Sequence, residues 1–313
     1  MVHPAHLRVA SLLAASLLFG LGASRPVLSD PVQATPAKVQ EKAQNKTPAA
    51  TCDREHFHVI IDVGHSAEVP GALSARGVGE YTFNLSLAQA IEQKLREAGF
   101  IKTTLLVTPG KAIAGLISRV NYASHNPADL FLAIHHDAVP DRFLEKWTYE
   151  GKPHNYCDRF KGHSIFVSRY NPDYKSSLQF ARLLGLQLKA EGMQYTPHYV
   201  EKFMGQRQRE LVDPEAGVYR FDNLVVLMST SMPAVLFEAG SIINRDEELV
   251  MANHEHQELV AGAVATAVEN FCQAQGTRKP QHQIARRQQN ASANASTPPF
   301  LFPFNFGVGE HHQ

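Results

Sequence analysis

The sequence predicts a single α/β domain, a twisted and mostly parallel sheet with helices on both faces and its chemistry at the carboxyl ends of the strands. Three observations carry that expectation. Apolar runs and helix-period segments alternate along the chain as strand, helix, strand, helix. The strand candidates are continuous apolar runs rather than alternating ones, which is the pattern of strands covered on both faces. Two of them end in histidine, Ile61-Asp62-Val63-Gly64-His65 and Leu132-Ala133-Ile134-His135-His136-Asp137, at the end where an open parallel sheet presents its functional groups.

Phe57 to Asp62 reads as the first strand. Glu80 to Ala98 reads as a helix, because Leu87, Ile91 and Leu95 recur every four residues with Ala88 and Ala98 on the same side, and Gly99 stops it. Thr103 to Val107 follows as a strand, Ile113 to Ser124 as a helix, and Asp129 to His135 and Ser164 to Ser168 as strands. A helix over Tyr174 to Ala190, strands over Leu224 to Met228 and Ala234 to Glu238, and a last helix over Glu247 to Phe271 complete a domain spanning 56–272. With 313 residues, 44% of them hydrophobic, the chain supports one sizeable core.

The ends have a different character. Arg8 precedes an apolar run from Val9 to Gly22 that closes on Gly22-Ala23-Ser24. That run is shorter than the ~20 apolar residues of a membrane span and reads as a signal peptide over 1–24, an uncleaved anchor being the alternative. Cleavage would leave no stable membrane span, and no cysteine follows the run for lipid attachment. Residues 25–55, with Pro26, Pro31, Pro36 and Pro48, read as a linker, and 273–313 as a disordered tail ending in an aromatic-proline run that could serve as a docking peptide. Thirty basic and thirty acidic residues leave no net charge. Nothing therefore favours nucleic acid or an acidic membrane surface as a partner. Export into an oxidising compartment allows one disulfide among Cys52, Cys157 and Cys272; the sequence does not choose the pair.

The two strand-end histidines point to a metal. Glu80, after Gly77-Val78-Gly79, is either an acid favoured by the helix dipole or a ligand brought back toward His65 by the glycine-rich return. His135 and His136 point to opposite faces of a strand, so one of them reaches an ion; His135 is chosen, and Asp137, of the same parity, is the alternative ligand or a group orienting an imidazole. Two histidines and one carboxylate suit a single Zn²⁺ with a position open to water. Glu238 ends another strand between apolar flanks, where desolvation raises a carboxyl pKa and fits it for general-base work; a turn-capping carboxylate is the plain alternative. His254-Glu255-His256 has the wrong spacing for a zinc-protease helix and reads as a solvated face. His163, His198 and the terminal Glu-His-His lack partners at a diagnostic spacing.

Taken together these residues resemble the zinc-dependent N-acetylmuramoyl-L-alanine amidases of type 3, bacterial cell-wall enzymes. The motifs, in order, are Asp62-Val63-Gly64-His65, Glu80 with Asn84-Leu85, Arg119 before Ala128-Asp129-Leu130-Phe131 and Ile134-His135, and Pro233 to Gly240 with Asn244 beyond. The resemblance covers about residues 57–272. It implies that His65, Glu80 and His135 bind zinc, that Glu238 is the catalytic acid/base, and that the substrate is the amide joining N-acetylmuramic acid to L-alanine in peptidoglycan, met in the periplasm or cell wall. Asp137, Arg119 and Asn244 are expected to support the ligands or touch substrate. His136-Asp137 and Gly240-Ser241 depart from the usual motifs, which bears on substrate contacts more than on the metal. Residues 197–213, with Arg207, Arg209 and Glu210, look longer than a minimal member needs. In some relatives an insertion covers the zinc until a partner withdraws it, so an activator protein relieving occlusion by this stretch is expected. A peptidoglycan-binding domain without activity and a zinc peptidase cutting another amide of the stem are the alternative readings.

Overall fold

The computed structural model describes residues 52–276. The expected signal peptide, most of the expected linker and nearly all of the expected tail lie outside the described residues. In chain order the elements are β1 Val59–Val63, α1 Glu80–Glu97, β2 Thr104–Leu106, α2 Ala112–His125, β3 Leu130–Asp137, β4 Glu145–Tyr149, β5 Lys152–Tyr156, β6 Ser164–Val167, α3 Tyr174–Ala190, β7 Glu210–Asp213, β8 Val218–Arg220, α4 Val225–Met228, β9 Ala234–Ser241, α5 Arg245–Met251 and α6 His254–Gly276. Seven strands form one sheet in the order β2-β1-β3-β9-β6-β8-β7. The run from β2 to β9 is parallel, β6 lies antiparallel to β9 and parallel to β8, and β7 closes the edge antiparallel.

The two faces of the sheet are read off β1 with a period of two. Val59, Ile61 and Val63 face Leu87, Ile91, Leu95, Phe180, Leu184 and Val264, the apolar stripes of α1, α3 and α6. Ile60 faces the other way, with Phe131, Ala133, Leu236 and Tyr219, toward α2 and α4. Each such aliphatic side chain, fully withdrawn from water, stabilises the fold by roughly 1.5–3 kcal/mol. Burial on both faces is what made these strands read as unbroken apolar runs.

Two expectations are corrected. Leu224 to Met228 is not a strand: Leu227 N–H and Met228 N–H donate to the Leu224 carbonyl at 3.0 and 2.9 Å, one helical turn that buries Val226 and Leu227. A short apolar run does not distinguish the two conformations, and the strand beside β6 is Val218–Arg220 instead. The last helix is two helices, because Asn253 accepts the His256 N–H on its Oδ1 at 3.1 Å and starts α6 afresh. The β4–β5 hairpin has no counterpart in the sequence reading. Its turn puts Glu150 and Gly151 at φ 49° and 76°, and it docks through Trp147, whose indole N–H donates to the Ala75 carbonyl at 2.9 Å between the guanidiniums of Arg76 and Arg245.

Cys52 pairs with Cys272, stapling the start of the described chain to α6, while Cys157 is buried and free. Among the described residues no helix is long and apolar enough to cross a membrane.

Candidate metal centre

His65 follows β1 after Gly64. It adopts φ 64°, a left-handed conformation uncommon for a residue with a Cβ. Arg119 holds it there: Nη2 donates to the carbonyls of Val63, at 2.8 Å, and of His65, while Nε donates to Asp62 at 2.8 Å. Gly64 is required by closeness, since a Cβ there would stand 2.4 Å from the His135 imidazole. Gly71, at φ 79°, is required twice over, because its Cβ would meet both Glu80 and the His65 ring at 2.6 Å.

Glu80 opens α1, where the helix dipole favours a carboxylate. It straddles the two imidazoles, Oε2 lying 2.9 Å from His65 Nε2 and Oε1 2.9 Å from His135 Nδ1. One donor atom from each of the three residues lies within 4.8 Å of the others. Asn84, one turn on, donates to Glu80 Oε1 at 3.1 Å and to the Gly64 carbonyl at 3.2 Å, and its own Oδ1 meets His136 Nδ1 at 2.8 Å. His136 thus lies outside the ligand group, on the opposite side of β3, and orients Asn84.

The electrostatics suit a cation. Burial alone would push the Glu80 carboxyl up, but its hydrogen bonds to His135 and His65 hold it well below the ordinary value, as an anion. Burial pushes the His135 imidazole down despite Glu80, and pushes His136 to about 3, so both are neutral. A carboxylate flanked by two imidazoles is a donor set of Zn²⁺, and these residues fit that ion. A cavity of about 260 Å³ opens beside His65 and His135, floored by Leu116, Leu224, Val226 and Leu236.

Glu238 sits on β9 directly across from His135 on β3. Its Oε2 is buried without a hydrogen-bond partner. Burial, reinforced by the charges of Asp137 and Glu80 and opposed by Arg207, raises its carboxyl well above the ordinary value. Asp137 turns away from the three donors toward Tyr199, whose hydroxyl donates to Oδ2 at 2.6 Å, and Arg207, 3.3 Å from Oδ1. Asn244 caps α5: its Oδ1 accepts the N–H groups of Asp246 and Glu247 and its Nδ2 donates to the carbonyls of Asp158 and Phe160. Asn84, Tyr199 and Arg207 were missed as site residues. Only Asn84 left a signal, four residues after Glu80 and so on the same helix face.

A family model for N-acetylmuramoyl-L-alanine amidase of type 3 matches residues 59–270. The chain belongs to this family of enzymes. The amidase is 24% identical over 228 residues to N-acetylmuramoyl-L-alanine amidase AmiA of Escherichia coli, covering 68% of this chain and 75% of that protein. It is 20% identical over 224 residues to a putative N-acetylmuramoyl-L-alanine amidase of Buchnera aphidicola from Schizaphis graminum, covering 68% and 96%. Among solved structures, the catalytic domain of the amidase CwlV from Bacillus (Paenibacillus) polymyxa superposes with a TM-score of 0.50 at 24% identity, covering 69% of this chain and 97% of that one. Ami1 of Mycobacterium smegmatis gives 0.52 at 16%, covering 70% and 98%. The mostly parallel α/β fold of the amidase is the fold of these neighbours.

Proposed function

We propose that this amidase is exported and hydrolyses the amide between N-acetylmuramic acid and L-alanine in peptidoglycan, with one zinc ion held by His65, Glu80 and His135 and with Glu238 as general acid/base. The observation that carries the reading is the pairing across two strand ends: His135, in the three-donor group, stands opposite Glu238, whose free carboxyl oxygen is buried. Zinc bound there supplies a Lewis acid for the amide carbonyl and lowers the pKa of water. The chain's own residues do the rest. Arg119 keeps His65 in its left-handed turn, and Asn84 keeps Glu80 turned toward the imidazoles. Glu238 takes the proton of the attacking water and delivers it to the leaving nitrogen, a task suited to a carboxyl whose pKa burial has raised well above its ordinary value. The products are a lactyl carboxylate and a stem peptide with a free L-alanine amine.

Export is supported by the Cys52–Cys272 disulfide, a bond that persists in oxidising compartments. The expected cover, residues 197–213, does not line the cavity beside His65 and His135.

The test is digestion of purified sacculi by the zinc-loaded protein, with products identified by mass spectrometry. Stems with a free L-alanine amine are expected, abolished by chelation and restored by zinc. Glu238→Gln should keep its zinc and lose roughly 10²–10⁴-fold in rate, the worth of a positioned acid/base. Full activity in that variant refutes the role of Glu238. Cuts within the stem would make the protein a peptidase, and binding to sacculi without release would make it a binding domain.

A further inference from the structure

We infer that Arg207 is a positioning residue for the reaction, acting through Asp137 to fix the strand end that faces Glu238; the inference rests on the acid/base role proposed for Glu238. β3 and β9 run in register up to His135 opposite Glu238 and resume at Asp137 opposite Ser241, so a bulge lies immediately beyond the catalytic pair. A bulge breaks the ladder locally and frees the strand to re-aim its side chains. Glu238 Oε2 has no hydrogen bond of its own. Its aim therefore depends on its backbone, paired with Ser164 of β6 on one side and with His135 of β3, next to the bulge, on the other, and Asp137 is the β3 side chain beside that bulge.

The hold comes from a distant part of the chain. The buried Tyr199 hydroxyl donates to Asp137 Oδ2 at 2.6 Å, and Arg207 Nη2 reaches Asp137 Oδ1 at 3.3 Å, the Ala138 carbonyl at 3.0 Å and the Tyr199 hydroxyl at 3.4 Å. A single guanidinium thus ties the Asp137 side chain to the next backbone carbonyl. The segment that carries it is itself anchored. Arg209 N–H donates to the Tyr199 carbonyl at 2.7 Å, Met204 is buried, and Phe203 packs on Phe143 and Phe160 at ring distances of 5.5 and 5.8 Å. The chain then continues into β7, the edge strand of the sheet. The stretch expected to be a removable cover is in this account a clamp, and withdrawing it would lower activity rather than raise it.

The experiment compares Arg207→Ala, Arg207→Gln and Arg207→Lys with the parent, each as the full zinc-loaded chain, for kcat, KM, zinc content and melting temperature. Arg207→Ala should lose about 10–100-fold in kcat with KM within about twofold and zinc retained, as expected when a support for a general base is removed. Added guanidinium should restore part of that kcat and leave the parent unchanged, a response that a loss of folding would not give. Arg207→Gln keeps a hydrogen-bonding amide without the charge and should resemble Arg207→Ala, while Arg207→Lys should recover part of the rate. If Arg207→Ala does not fold, the Gln and Lys pair decides the matter by the same ordering. A folded, zinc-loaded Arg207→Gln with parental kcat, or a loss that follows zinc release and ignores guanidinium, overturns the inference. Glu238→Gln run in parallel separates the two claims. If it is inactive while Arg207→Gln is fully active, the positioning role alone fails; if it is active, the underlying role of Glu238 fails.

Discussion

Replacing Arg119 by leucine should both destabilise the domain and weaken metal binding, and the two effects have one origin. The guanidinium makes three hydrogen bonds, to the Asp62 carboxylate at 2.8 Å, the Val63 carbonyl at 2.8 Å and the His65 carbonyl, and Asp62 is only 1% exposed. Removing one member of a buried ion pair strands the other, here a carboxyl that burial already pushes up to about 7 beside Arg119, and costs about 3–5 kcal/mol. In a domain of this size that lowers the melting temperature by about 6–20 °C. His65, at φ 64°, loses the donor that holds its carbonyl in a left-handed turn. Loss of a group that orients a ligand lowers metal affinity by about 10–100-fold. The assay is urea unfolding of metal-free Arg119→Leu at pH 7.5, followed by competition for zinc against a chromophoric chelator. Asp62→Leu combined with Arg119→Leu should regain part of the stability, since no charge is then stranded, but not the zinc affinity, since the His65 carbonyl is still unheld. A destabilisation below about 1 kcal/mol, or zinc affinity equal to the parent's, would refute the reasoning.

Two further outcomes follow from single features. Cys52→Ser with Cys272→Ser opens a loop whose ends are 220 residues apart; the chain-entropy relation puts the loss near 5 kcal/mol, to be read as a gap between oxidised and reduced melting curves of the parent that vanishes in the variant. His163 is buried with neither ring nitrogen bonded, and burial pushes its imidazole down to about 4. The unfolded chain, with an ordinary histidine pKa of about 6.5, then binds more protons between pH 6.5 and 4, so stability present at pH 7 is lost as the pH falls through that window, by up to ~3 kcal/mol. His163→Leu should lose less stability between pH 7 and 5 than the parent does, and equal slopes in urea midpoint against pH would count against this account.

What the sequence disclosed and what it withheld divide by distance along the chain. The apolar runs of β1, β3 and β9 and the spacing of Leu87, Ile91 and Leu95 are local patterns, and each placed its element within a few residues. His65, His135 and Glu238 were legible because each ends such a run, and Glu80 because glycines precede it at a helix start. Helix or strand was not decidable for Leu224 to Met228, where four or five apolar residues satisfy either period. The β4–β5 hairpin was hidden for a different reason: its aromatic face packs on arginines rather than on an apolar core. Arg119, 57 residues from its partner Asp62, was reached only through the motif resemblance, and the links of Tyr199 and Arg207 to Asp137, 62 and 70 residues away, were hidden by separation. Nothing local marks such a partner. Asn244 shows the converse, a motif position whose visible signal belonged to a helix cap.

The centre also explains why its parts must be held by so many uncharged donors. Glu80, Asp137 and Glu238 bring three carboxyl groups into one buried region, and Arg207 is the cation facing two of them, since the charge of Arg119 is already matched by Asp62. Each additional ionised carboxyl there raises the pKa of its neighbours, as the effect of Asp137 and Glu80 on Glu238 shows. Glu80 escapes because two imidazoles, an asparagine and two backbone N–H groups point at it. Glu238 receives none of these, and its carboxyl is the one pushed upward. The same crowding that makes a divalent cation welcome at Glu80 thus leaves Glu238 ready to carry a proton. In the proposed mechanism, the division of labour between Glu80 as ligand and Glu238 as base follows from which carboxyl the neighbouring donors reach.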